Sequence, residues 1–230
     1  MVLRRSDGYI GTLIDDLVTK GTDEPYRMMT SRTEYRLLLR QDNADERLSG
    51  IGHRVGLVSG ARYAAVREKY AAVAREIARL EHTGAAPSPE LNARLAELDE
   101  TPVEHGAALA DLLRRPKVRY GDLAPFDPER PELPKAVREQ TEIRIKYEGY
   151  IRRQLKQVEE FSRLEDRALP AGLDYETVTG LRLEARQKLN RIRPENFGQA
   201  SRVSGVSPAD IAALMVFLET KNMKENGGGI

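Results

Sequence analysis

The chain has 230 residues, enough for one large domain or two small ones. Hydrophobic residues make up 40% and charged residues 32%, with no Trp, a helix-leaning composition with a modest aromatic core. The lack of Cys excludes a disulfide scaffold and thiolate metal sites and fits a reducing compartment, and 37 basic against 36 acidic residues confine any polyanion-binding surface to local patches. No charged-then-apolar leader and no run of about 18 apolar residues is present, so neither a signal peptide nor a membrane span is expected.

In chain order, Ile10, Leu13, Ile14, Leu17 and Val18 form one apolar stripe over 9–20, and Gly21 ends it. A helix with so broad an apolar face is expected to pack against something. A polar turn through Thr22, Asp23, Glu24 and Pro25 follows. Ser31 and Glu34 then have the spacing of a capping box, which predicts a helix carrying Arg32, Arg36 and Arg40 on one face. The rival is a strand in which Arg36 and Arg40 alternate with Leu37 and Leu39. Another short helix is expected to start at Asp42-Asn43-Ala44-Asp45 and to run into Gly50-Ile51-Gly52. Gly50, Gly52 and Gly56 have a dinucleotide-loop look, but no apolar strand precedes them, and that reading is rejected.

Over 61–82, Tyr63, Val66, Tyr70, Val73, Ile77 and Leu80 alternate by threes and fours, an a/d seam of about three heptads. Helix 88–99, with Leu91, Leu95 and Leu98, is the expected antiparallel return partner. Leu109, Leu112 and Leu113 mark a third helix, and the Pro- and Asp-rich stretch 116–134 reads as a linker. A long helix is predicted over 135–166, then short helices over 182–192, 197–203 and 208–219. The glycine-ending tail from 220 is expected to be disordered. The predicted class is all-α: a helical hairpin or bundle region, then a small three-helix C-terminal subdomain. Its expected divisions are 1–58, 59–133, 134–219 and 220–230.

Chemistry-bearing constellations are few. Asp15 and Asp16 are adjacent, and neighbours on a helix do not face one site. His53, His82 and His105 are scattered, so no catalytic residue and no metal site is assigned. Gly205, Ser207, Pro208 and Asp210 have the order of a helix stop followed by a helix cap, a helix-turn-helix pattern. The second helix opens with an acid and no base, unlike a major-groove reader. Basic residues gather elsewhere, at Arg144, Lys146, Arg152, Arg153 and Lys156 around Tyr147 and Tyr150, and at Arg182, Arg186, Lys188, Arg191, Arg193 and Arg202. Taken singly, such residues are ordinary solvated faces. As a set they fit a phosphate-backbone reader. The expected phosphate-contacting residues are Arg32, Arg36, Arg40, Lys146, Arg152, Arg153, Lys188, Arg191, Arg193, Gln199 and Arg202. A helix opening at 197 would add backbone N–H groups, and Arg193 has the alternative role of a helix C-terminal charge.

Several blocks carry a family likeness. Asp15-Asp16-Leu17-Val18-Thr19-Lys20-Gly21, Glu24-Pro25-Tyr26-Arg27-Met28, Thr30-Ser31-Arg32, Glu34-Tyr35-Arg36-Leu37 and Asp42-Asn43-Ala44-Asp45 closely resemble the C-terminal half of the tRNA uridine 5-carboxymethylaminomethyl modification enzyme family, MnmG or GidA. So do Lys146-Tyr147-Glu148-Gly149-Tyr150-Ile151 and Gly198-Gln199-Ala200-Ser201-Arg202-Val203-Ser204-Gly205-Val206. The likeness runs in order through 4–219. Departures are Thr33 for the family's usual Ala, Met29 for Phe, and Asn196-Phe197 for a Thr-Leu type pair. The resemblance implies a fragment that follows the family's FAD-binding α/β domain, which would supply the packing partner of the first helix. It implies a cytoplasmic, homodimeric whole protein that works with the GTPase MnmE on C5 of the tRNA wobble uridine. FAD, NADH and a folate one-carbon donor belong to that whole protein, with no cofactor expected in this fragment. The rivals are a helix-turn-helix DNA-binding regulator and a purely structural interaction module.

Overall fold

Helices form where the three-and-four apolar spacing runs unbroken, and Gly or Pro stops most of them. The computed structural model describes residues 1–21 and 24–226; Thr22, Asp23 and the last four residues lie outside it, and with them two residues of the expected turn and the end of the expected tail. The helices are α1 Tyr9–Thr19, α2 Ala44–Arg54, α3 Gly60–His82, α4 Pro89–Glu97, α5 Leu109–Leu113, α6 Lys135–Glu165, α7 Leu183–Ile192, α8 Phe197–Arg202 and α9 Pro208–Asn226. The two-residue strands β1 Gly84–Ala85 and β2 Ala107–Ala108 pair antiparallel, too short to alter the all-α class. Two compact units divide the chain: Leu37–Arg153, and Val2–Arg36 together with residues from Gln154 onward. The division falls inside α6, so it cuts across the expected boundaries at 58 and 133.

In the unit 37–153, Ser59 and Ser88 cap α3 and α4 by accepting from Arg62 N and Leu91 N. Tyr70, Val73 and Leu80 of the seam are buried, as are Leu91, Leu95, Leu109, Leu112 and Leu113. The seam is shared: α3 lies mainly along α2 and α5, and α4 joins it at the far end, where Leu91 and Leu95 share a cluster with Leu80. Stretch 116–134 is more than a linker. Its 3-10 turn Tyr120–Phe126 buries Tyr120 and Leu123, and Tyr120 donates to Glu76 at 2.8 Å. Buried Glu76 and Asp127 both take the Arg79 guanidinium, at 2.8 and 2.6 Å. Helix α2 runs through Gly50 and Gly52 to Arg54. Gly52 is a packing position: a Cβ there would meet Val58 Cγ2 at 2.7 Å.

Stretch 30–40 is neither helix nor strand. Only the 3-10 turn Thr30–Arg32 forms, because Ser31 caps nothing and Arg5 holds the Glu34 carboxylate at 2.9 Å. The arginine stripe therefore does not exist. Arg36 belongs to one unit and Arg40 to the other.

In the second unit, Leu169, Tyr175, Val178, Leu189, Phe197 and Leu214 form the core. Helix α1 is turned inside out. Gly11, Thr12, Asp16 and Thr19 are its buried residues, whereas Ile10, Ile14, Leu17 and Val18 are 56, 52, 41 and 73% exposed. Gly11 is required because the Arg4 carbonyl sits where a Cβ would go. Gly205, at φ +92°, makes the left-handed turn between α8 and α9. Helix α9 continues to Asn226, past the expected end at 219, since no Gly or Pro interrupts 220–226.

Candidate nucleic-acid interface

The inward polar face of α1 builds an ion network. Arg5, 4% exposed, contacts Asp15 at 2.9 Å, Asp16 at 2.7 Å and Glu34 at 2.9 Å. Asp15 and Asp16 thus converge on one guanidinium nitrogen, contrary to the expectation that adjacent carboxylates diverge. The long Arg5 side chain reaches between two positions that the helix itself separates. Tyr26 at 2.6 Å and Lys20 at 2.9 Å complete the Asp16 shell. Burial alone would raise the Asp16 carboxyl, but hydrogen bonds from Tyr26, Lys20 and Arg5 outweigh it and hold the group at about 2. The Arg5 guanidinium is opposed by its own burial, yet the hydrogen bonds to Glu34 and Asp16 raise it overall.

Several expected RNA-contacting cations are engaged inside the protein. Arg202, 12% exposed, bridges Glu165 and Asp15, each at 2.9 Å. Arg193 takes the left-handed residue at the end of α7, at φ 51°, and donates to the Asn190 and Leu173 carbonyls at 3.0 and 3.1 Å. That geometry is its alternative, helix-terminal role. Gln199 accepts from Glu195 N at 2.8 Å. The start of α8 offers no anion cradle, because Asn196 caps Gln199 N at 2.8 Å and Gly198 is packed against Glu165. Arg40 is held by Asp42 and the Leu37 carbonyl. Arg32 lies 4.4 Å over the Tyr26 ring, and exposed Arg36 donates to the Thr30 carbonyl at 2.9 Å. Asp210 closes the α9 cap with Ser207 and is gripped by Arg182 at 2.6 Å, which holds its carboxyl well below the usual range. The start of α9 is thereby occupied by an internal ion pair.

Other cations point outward. Arg153 and Arg191 are exposed and, among the described residues, make no ion pair or side-chain hydrogen bond. Lys188 carries only the surface pair with Glu184 at 3.0 Å. Lys146, Tyr150 and Arg153 of α6 and Arg114 at the end of α5 line an open groove of about 410 Å³. Lys146 reaches the Pro116 carbonyl at 2.9 Å, and Glu148 neutralises part of Arg114 and Arg152. Surface pairs of this kind are weak, roughly 0–1 kcal/mol, and a phosphate can compete for their cations.

Residues 157–228 match the family model described as the tRNA modifying enzyme MnmG/GidA C-terminal helical bundle, and residues 60–155 match its C-terminal helical domain. The chain belongs to the MnmG/GidA family. It is 55% identical over 219 residues to the tRNA uridine 5-carboxymethylaminomethyl modification enzyme MnmG of Caldicellulosiruptor saccharolyticus, covering 95% of this chain and 35% of that protein. It is 50% identical over 219 residues to the protein of the same name in Bacillus subtilis, with the same coverage. A crystal structure of Aquifex aeolicus GidA, in crystal form II, superposes with a TM-score of 0.77 at 37% identity, covering 95% of this chain and 34% of that one. The chain thus spans about a third of the length of these relatives.

The MnmG/GidA blocks fall into two physical kinds. The 15–21 and 198–206 blocks supply the buried network and the α8–α9 turn, joined through Asp15 and Arg202. The 146–151 block instead supplies a surface. Sequence reasoning missed Arg5 altogether. Its signal was available as an arginine pair, Arg4-Arg5, ahead of the acidic pair Asp15-Asp16 on the otherwise apolar α1.

Proposed function

We propose that this chain is the tRNA- and partner-binding part of an enzyme that modifies C5 of the tRNA wobble uridine in concert with the GTPase MnmE. The observation that carries this reading is a tyrosine-bearing groove lined by Arg114, Lys146 and the unpaired Arg153, in a chain whose relatives are named for tRNA uridine modification. A phosphate backbone is bound by such local patches even at a net charge of +1. The FAD of the whole enzyme does not fit the residues present here: Gly50 and Gly52 lie within α2 and pack on Tyr63 and Val58, so no strand-to-helix phosphate loop exists among them. In this reading flavin, NADH and folate chemistry, homodimerisation and a cytoplasmic location belong to the longer protein, as the family resemblance implies. The exposed stripe of Ile10, Ile14, Leu17 and Val18 is where that protein's remaining length would pack. No described helix is long and apolar enough to cross a membrane.

Paired substitutions test the assignment. Arg153→Ala and Arg191→Ala should each weaken tRNA binding alike for different tRNAs and lower the salt slope by roughly 0.7–0.9 for each phosphate released. Arg202→Ala should lower the melting temperature and leave that slope unchanged. Unchanged affinity and slope in both surface variants would remove the two arginines from the interface.

A further inference from the structure

Resting on the RNA-binding reading above, we propose that Tyr147 and Tyr150 form a stacking platform for an unpaired RNA base, with Arg153, Lys146 and Arg114 receiving the adjoining phosphates. Large aromatic side chains are normally buried, yet Tyr147 is 45% and Tyr150 59% exposed. They stand one helical turn apart on α6, with ring centroids 6.5 Å apart and planes tilted by 54°. That separation and tilt leave no room for a base between the rings. They suit a one-sided stack on Tyr150, the more exposed ring, with Tyr147 beside it. Gly149 keeps the approach clear, since a Cβ there would have no neighbour within 4 Å.

The charge around the platform fits the same ligand. Its groove is lined by the cations Arg114, Lys146 and Arg153 and the acid Glu148; Arg114 also pairs with Asp111 and Lys146 with Glu142, whereas Arg153 has no internal partner among the described residues. An aromatic face in a basic groove is how proteins hold single-stranded nucleic acid, because every base has a π-face and the backbone supplies the charge. A plain duplex offers the phosphates but no free base face, so the platform favours loops and unstacked ends over paired stems.

The test compares Tyr150→Leu and Tyr150→Phe in the whole chain, using an anticodon stem-loop RNA and a blunt RNA duplex with the same number of phosphates. Losing one stacked base should weaken stem-loop binding by about tenfold or more in Tyr150→Leu, with duplex affinity and salt slope unchanged. Tyr150→Phe, which keeps the ring, should bind as the parent does. If Tyr150→Leu binds the stem-loop like the parent, or loses stem-loop and duplex equally, the platform is refuted while the phosphate-binding reading stands. If the parent chain shows no salt-dependent binding to either RNA, both readings fail together.

Discussion

Replacing Val73 with Asp should unfold the 37–153 unit. Val73 is fully buried in the middle of α3, where the seam faces α2 and α5. A carboxylate there has no partner and must either stay charged in an apolar site or take up a proton, and either outcome costs several kcal/mol. That is a large share of the roughly 5–15 kcal/mol that stabilises a typical domain. Ala74→Asp, one residue on and exposed, should change stability by no more than about 0.5 kcal/mol. Helical circular dichroism and thermal melting of the two variants measure the difference. Equal melts would show that the seam is not packed.

A second large effect is expected from Arg5→Ala in the other unit. Removing Arg5 leaves Asp16, 4% exposed, and Asp15, 15% exposed, without their shared cation. Breaking a buried ion cluster from one side costs on the order of 3–5 kcal/mol. Hydrogen exchange of the α1 amides should report it as lost protection. The pH dependence fixes the sign. A carboxylate held at about 2 in the folded protein contributes stability that is complete above its unfolded value near 4 and is lost as pH falls towards 2. The gap between parent and Arg5→Ala should therefore be widest above pH 4 and should narrow on acidification. A gap that stays constant from pH 6 to pH 2.5 would mean that Asp16 is not the group Arg5 stabilises.

Most helices were legible in the sequence because their boundaries are written in local chemistry: Gly21 after the α1 stripe, Pro208 at a first position, Gly205 at a left-handed turn. Failures came where tertiary interactions override local signals. The Ser31–Glu34 capping box is undone by Arg5, which lies 29 residues from Glu34 in sequence. Tyr120 sits in a Pro-rich stretch that composition marks as a linker, and only the buried Glu76 explains why it folds inward. For the interface, sequence identified which arginines are abundant but not which are free. Arg202 and Arg193 stand in the same basic cluster as Arg191, and only the positions of Asp15, Glu165 and the Leu173 carbonyl separate them from it.

The central claim is that this chain holds RNA through outward cations rather than reading DNA through the helix that opens at Pro208. Titration with tRNA and with duplex DNA at 50 and 200 mM salt tests it most directly. The account predicts tRNA binding that weakens steeply between the two salt concentrations. It also predicts that tRNA displaces the DNA, because a duplex offers no unpaired bases and Asp210 leaves α9 without a basic start. Tighter binding to duplex DNA, or tRNA binding indifferent to salt, would contradict it.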